Sequence, residues 1–529
     1  MIHSEDAPKT PFISLRPSFG EDGFQKHQIK FGGRSGKLGA LVNLSDLNYD
    51  GYRDHSKTEA RQVNSKFSYD FNDDSDLIMV LNHTDSPTAD DPGGLTEDQV
   101  NNDPTQARQR NVDFDGGESV EQTRIGFVYK NKIGTAGSLM LRNYYLWRDF
   151  ENKLPFVGGG SVAFDRFFVG GGVQYTHTGQ IGSFGNRFMI GFDLDQQDDD
   201  RERFDNNQGV LGAKTLDQNE KVVSIGVFLQ DEIALTERLE LTLGGRFDRI
   251  KFDVSDDFLA DGDDSGKRTL KEFSPSLGIR FGLTDRTNLY ANISTSFETP
   301  TTTEFANPTG GGFNPDLDPQ TATNYEIGIK GLIGARSRYE LALFQIDVDD
   351  ELVAFEIPTQ PGRDFFNNAG KSERKGFEML LATEPVDGLK ASLAYTYSDF
   401  TFEKFIDVNA NDFGGKSIPG IPEHLVHADL SYAHSSGLFA NFDVLYSDKV
   451  FTNNANSASS DSYVVSNLKL GYTRFFNNWE FSPFIGVNNL AGEHYNGNVR
   501  INAFGQRFFE PAPERNIYGG LTLRYDFGA

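Results

Sequence analysis

The most constraining stretch of this chain runs from Phe273 to Lys330, because it shows a period of two with unequal connections on either side. In Asn288–Phe297, Leu289, Ala291, Ile293, Thr295 and Phe297 fall on one side, and Asn288, Tyr290, Asn292, Ser294 and Ser296 on the other. Side chains that alternate apolar and polar describe a strand with one apolar and one polar face. The strand before it is reached through the tight Thr284–Thr287 turn. The strand after it is reached only across roughly two dozen Gly-, Pro-, Thr- and Asn-rich residues. Short turn, then long loop, recurs along the whole chain.

A chain of 529 residues would ordinarily divide into several domains, yet no composition shift or linker divides this one. No apolar run approaches the ~18–20 residues of a membrane helix. A transmembrane β-barrel escapes that test, since only alternate residues face lipid. The 46 Phe and 19 Tyr suit the aromatic girdles of such a barrel. About 22 strands can be counted from Phe12 to Phe527, which predicts an all-β fold: a transmembrane antiparallel barrel with short periplasmic turns and long extracellular loops. A soluble propeller or solenoid is disfavoured, because there is no repeat of constant signature and the loops are very unequal.

Faces assign most clearly near the C-terminus. Ile517, Gly519, Leu521, Leu523, Tyr525 and Phe527 are expected to face lipid, and Tyr518, Gly520, Thr522, Arg524 and Asp526 the lumen. The spacing also predicts loops over the acidic segments Asp85–Ser119 and, with its flanks, DDDRERFDNNQG at 198–209.

The absence of cysteine fits passage through an oxidising periplasm. MIHSEDAPKTP has neither the basic nor the apolar region of a signal peptide, so an exported chain is expected to be presented here in mature or truncated form. A net charge of −27 argues against a nucleic-acid partner, which requires a basic face.

Several stretches resemble the barrel of TonB-dependent outer-membrane receptors. The most specific is NLYANISTSFETPTTTEFANP followed by NPDLDPQTATNYEIGIKG. YELALFQIDVDDELV, NAGKSERKGFEMLL and NIYGGLTLRYDF are similar to the family's following strands and its terminal strand, while DGYRDHSKTEARQVNSKFSYDF and DDPGGLT resemble its second and third extracellular loops. The resemblance implies a barrel domain over 12–529 preceded by a short remnant, 1–11. It implies a monomeric receptor in the bacterial outer membrane for TonB-dependent uptake of ferric siderophores or similar chelates. The family's N-terminal plug, through which TonB acts, is not expected within this chain, and Gly528 and Ala529 follow the aromatic residue on which such barrels usually end. A passive large pore, a non-functional remnant and a surface adhesive barrel remain as alternatives.

Enzyme motifs are missing. There is no HExxH, no GxSxG and no cysteine nucleophile, and the GGG runs at 158–160, 170–172 and 310–312 lack the Lys-Ser/Thr of a phosphate loop. His424 and His427 fall on opposite strand faces, so no metal site is expected there. The acidic runs at Asp90–Asp91, Asp198–Asp200 and Asp256–Asp264 invite a calcium reading, but a solvated acidic surface is the simpler one. No cofactor is expected. The candidate ligand residues are arginines near the extracellular strand ends: Arg148, Arg363, Arg500 and Arg507. A guanidinium fork holds carboxylates and phosphates in two bonds, and many iron chelates are anionic.

Overall fold

A computed structural model of the protein describes residues 5–308, 313–314, 316–356, 364–368, 370–407 and 410–528. The strands form a closed antiparallel barrel in which each strand pairs with its sequence neighbour. The first strand, Phe12–Gly20, also pairs with the last, Asn516–Asp526, in the register Phe12↔Asp526 to Gly20↔Tyr518. Closure satisfies every ladder and leaves no edge for lipid to meet, which is the condition for crossing a bilayer with strands. Tyr463–Tyr472 and Arg474–Phe476 both pair with Trp479–Asn488 and act as one interrupted strand, so the barrel has 22 strands.

One rim carries tight turns such as 36–37, 73–74 and 182–183, and the other carries the long connections 91–116, 299–319 and 489–515. Gly182 turns its hairpin at φ +61, a conformation that would strain any side chain with a Cβ. The alternation of faces is the one expected from the sequence. Ile517 and Phe527 are exposed on the outer surface, whereas Thr522 lines the lumen beside Ser14, Arg16 and Lys30. An outer aromatic girdle includes Trp479 against Tyr525, with ring centroids 4.9 Å apart.

The segment 198–209 departs from expectation: it is strand as far as Asn207, and only 208–209 form a turn. Phe184–Asn207 and Val210–Ala234 are 24 and 25 residues long and continue as a paired ladder well past membrane height. Above the bilayer the outward positions need not be apolar, so the ladder persists where the hydrophobic period fades. Charges hold it instead: Lys214 pairs across the ladder with Glu202 and along its own strand with Asp217. The acidic segment 85–119 is also more ordered than a plain loop. The strand runs to Asp90, and helices Glu97–Asn102 and Gln109–Asp113 follow. Thr96 and Gln99 form a reciprocal cap at the first helix.

At the mouth, described residues of the connection 299–319 turn toward the inner wall. Phe305 and Leu317, both fully buried, pack on Phe252 and Leu270 of the inner wall. Thr302 donates to Glu220 and Arg201 donates to Thr303 at 2.9 Å. At the opposite end, Lys66 of the wall pairs with Asp6 at 2.6 Å and Lys30 pairs with Glu5, which draws the N-terminal segment against the lumen wall.

Candidate ligand-binding site

Three extracellular connections, 50–57, 91–116 and 489–515, interlock on one side of the mouth. Their centre is Arg53, which is buried and donates to the carbonyls of Gly93 at 2.8 Å and Gln106 at 2.9 Å. Burial holds its pKa below the usual arginine value, against the pull of Glu510 and Asp91. Leu95, fully buried, exchanges backbone hydrogen bonds with Phe509. The last connection is thus fixed to the third one by a short strand-like bridge. Two arginines reinforce it: Arg500 reaches Asp91 at 2.6 Å and also Glu510, and Arg507 donates to Gln99.

Two cavities are lined in part by residues of the last connection. The smaller, of about 510 Å³, is lined by Gln99, Arg108, Arg110, Asp113, Phe114 and Arg507. Burial lowers the pKa of Arg108, and repulsion from Arg507, Arg110 and Arg500 lowers it further. Three arginines on one cavity wall, Arg108, Arg110 and Arg507, favour an anion that would relieve the repulsion on Arg108. The larger cavity, of about 810 Å³, takes in Arg500 together with Phe402, Phe405, Phe413, Ile501 and Phe504. Burial works against the charge of Arg500, but Asp91 and Glu510 outweigh it and raise its pKa. One cavity therefore offers cations, and the other offers aromatic faces beside an arginine already paired with two carboxylates, with Glu351 and Asp407 also in its wall.

Of the arginines expected from sequence, Arg500 and Arg507 come together here. Arg148 does not join them: it lies on another sector of the wall, donating to Gln122 at 2.8 Å and standing near Arg166 and Asp199. Arg363 lies outside the described residues. Sequence reading missed Arg108 and Arg110, hidden in a segment that reads as acidic, although the run ARQR at 107–110 was the available signal. It also missed the aromatic cluster, in which Phe405 lies 5.0 Å from Phe402 and 5.2 Å from Phe413.

The acidic runs have protein partners. Asp91 binds Arg500, Asp199 is buried against Arg166, and Asp256 accepts the amides of Phe258 and Asp264. Among the described residues no group of three or more His, Cys, Asp or Glu is arranged to hold a metal ion. His424 and His427 do lie on opposite faces; His424 meets the Tyr395 hydroxyl at 3.0 Å.

The model of the TonB dependent receptor-like β-barrel matches residues 18–490. The chain belongs to that family. TonB-dependent receptors are transport receptors of the bacterial outer membrane, and the closed 22-strand barrel agrees. Among relatives, the chain is 25% identical over 419 residues to the metal-pseudopaline receptor of Pseudomonas aeruginosa, covering 76% of this chain and 55% of that protein. It is 26% identical over 314 residues to the ferrioxamine B receptor of Salmonella typhimurium, covering 58% of this chain and 41% of that protein. The chain thus spans about half the length of the curated relatives it matches. In fold it is similar to the unliganded ferric citrate transporter FecA, with a TM-score of 0.83 at 17% identity over 99% of this chain and 80% of that one. The siderophore receptor PiuA from Acinetobacter baumannii gives 0.80 at 16% identity, over 99% of this chain and 82% of that one.

Proposed function

We propose that residues 12–529 are the barrel domain of a receptor that captures an anionic metal chelate, siderophore-like in size, for TonB-dependent uptake, and that 1–11 is the segment leading into it. The observation that carries this reading is that the last connection lines both an arginine cavity and an aromatic, Arg500-bearing cavity. An anionic chelate with aromatic or apolar parts matches both at once: guanidinium forks take its carboxylate or phenolate oxygens, and phenylalanine faces take the rest. Relatives whose names specify ferrioxamine B and a metal-pseudopaline complex support the substrate class. The barrel acts as one chain, coupled to TonB through a plug seated in its lumen. No bond is made or broken in the cargo, so the role is transport and not catalysis.

The test is binding of a panel of ferric chelates to the purified barrel, followed by tryptophan and tyrosine fluorescence. Anionic chelates should bind and cationic analogues of equal size should not. Arg108→Ala with Arg507→Ala should weaken binding about tenfold or more, the loss of one or two charge-assisted contacts. Equal affinity for cationic and anionic chelates would remove the reading.

A further inference from the structure

The inner wall of the barrel is matched in charge on one side and unmatched on the other. From Gly137–Lys153 to Gly266–Thr284, lumen cations meet carboxylates. Arg142 and Arg246 share Asp193, Arg166 is held by Asp199, and Arg280 by Glu240. Between Phe12–Gly20 and Gly117–Ile133 the matching stops. Arg16 lies over the Phe484 ring, 5.0 Å from its centroid, and the Lys469 ammonium is 4.4 Å from the same centroid. The Nε of Arg16 is buried without a hydrogen-bond partner. Arg124 donates to the side-chain oxygen of Asn82 at 2.9 Å. Among the described residues neither Arg16 nor Arg124 forms an ion pair.

Arg16 and Arg124 line a cavity of about 580 Å³ together with Lys30 and Lys66, and most of its remaining lining is neutral and polar. Among the described residues its one carboxylate is Glu5, which does not belong to the wall. Glu5 reaches Lys30 from the segment 5–11, and Asp6 beside it takes Lys66 at 2.6 Å. Two side-chain carboxylates of an adjoining segment thus already sit on two of the four cations. A space of this size holds a small solute. Cations that share such a space without a countercharge favour an anion, and the low-dielectric wall behind them strengthens the field.

We infer that this cavity is a second anion site, within the lumen, for a solute bearing several carboxylates, and that Glu5 and Asp6 are its internal competitor. The inference rests on the proposed capture of an anionic chelate, since such a cargo meets these cations after it leaves the mouth. Arg16 and Arg124 take carboxylates first, because no carboxylate of the protein holds them. Further carboxylates of the solute then replace Glu5 on Lys30 and Asp6 on Lys66, and the segment 5–11 leaves the wall. Binding of the solute and docking of the segment oppose one another by the same factor.

The experiment uses the full chain in detergent, a fluorophore at residue 8 and citrate as the probe, with its neutral triethyl ester as the control. Citrate should move the fluorophore from the wall to water, at higher concentrations as salt rises, and the ester should not. Equilibrium dialysis of labelled citrate gives the affinity directly. Arg16→Gln with Arg124→Gln should weaken it about tenfold, the scale of lost charge-assisted contacts. Glu5→Gln with Asp6→Asn should tighten it severalfold, because the competitor is gone, and a gain of affinity is something misfolding does not imitate. Citrate that binds without moving the fluorophore, or an affinity unchanged in both variants, would overturn the inference. Displacement that vanishes in Arg108→Ala with Arg507→Ala would place the citrate at the mouth and overturn the lumen site while leaving the proposed function intact; displacement that survives there supports the lumen site. Displacement by a polyglutamate peptide and not by citrate would make the cavity a protein-docking surface and overturn it as well.

Discussion

Arg500 and Asp91 are 409 residues apart in sequence and 2.6 Å apart in space. That contact, with the Leu95–Phe509 bridge, joins the third and last extracellular connections into one rigid side of the mouth. Each partner has a second one, Glu510 for Arg500 and Asn111 for Asp91.

The pair is partly exposed, and loss of Asp91 leaves Arg500 with Glu510. Asp91→Ala should therefore be mild, about 1 kcal/mol or less. Arg53→Ala should be much worse, because it strands the buried carbonyls of Gly93 and Gln106, at about 1–3 kcal/mol for each acceptor left unpaired. Hydrogen exchange over 91–116 measures both. Faster exchange for Asp91→Ala than for Arg53→Ala would show that the ion pair, not the buried arginine, holds the connection.

Phe305 is fully buried between the connection it belongs to and the inner wall. Phe305→Ala should release 299–319 at a local cost of about 3–5 kcal/mol, as for other buried phenylalanines. Phe504→Ala, at a side chain 79% exposed, should release nothing. Limited proteolysis reads the difference; equal cleavage of the two variants would mean that the buried contact does not anchor the segment.

Leu521 lies on the lipid face opposite Pro483, and Thr522 on the lumen face. Leu521→Arg should lower the folding free energy by about 2–4 kcal/mol, and Thr522→Asn should leave it nearly unchanged. Reversible unfolding in detergent or lipid gives both values. Similar values would reverse the assignment of faces.

Asp6 illustrates the sign of a pH effect. Its hydrogen bond to Lys66, and then the charge of that lysine, hold its pKa below 3.8. A depressed carboxylate stabilises the docked state above its unfolded pKa, and the stabilisation is lost as pH falls through the depressed value. The 5–11 segment should stay on the wall at neutral pH and leave it only in strong acid. A fluorophore at residue 8 should report release at low pH, and Lys66→Gln should give release already at neutral pH. Unchanged docking in that variant would assign the tether to Glu5 and Lys30 alone.

The barrel was legible because lipid imposes its own pattern. Where a strand meets hydrocarbon, as in Asn288–Phe297, alternate residues must be apolar, and the sequence segment and the strand Thr287–Glu298 nearly coincide. Beyond the bilayer that demand lapses. The 198–209 segment therefore reads as loop from its charges while its backbone continues the ladder. The site was legible only in part. Arg500 and Arg507 stand out as cations in an acidic chain, but the contact of Arg500 with Asp91 spans 409 residues of sequence and leaves no local trace. Arg108 and Arg110 were concealed by the acidic residues around them, and the phenylalanine cavity by the abundance of phenylalanine everywhere.

The seam between Phe12–Gly20 and Asn516–Asp526 has a consequence for how the molecule comes into being. Its two halves are the first and last strands of the barrel, so no chain lacking either can complete the ring. Every intermediate short of closure has two bare strand edges, each a template for another chain, and the loop entropy of joining them is met in a single late event. Assembly of this protein is for that reason a problem of guarding two edges until they find each other. A short peptide copying Asn516–Phe527 should arrest it at that stage by occupying the first strand before the last one arrives.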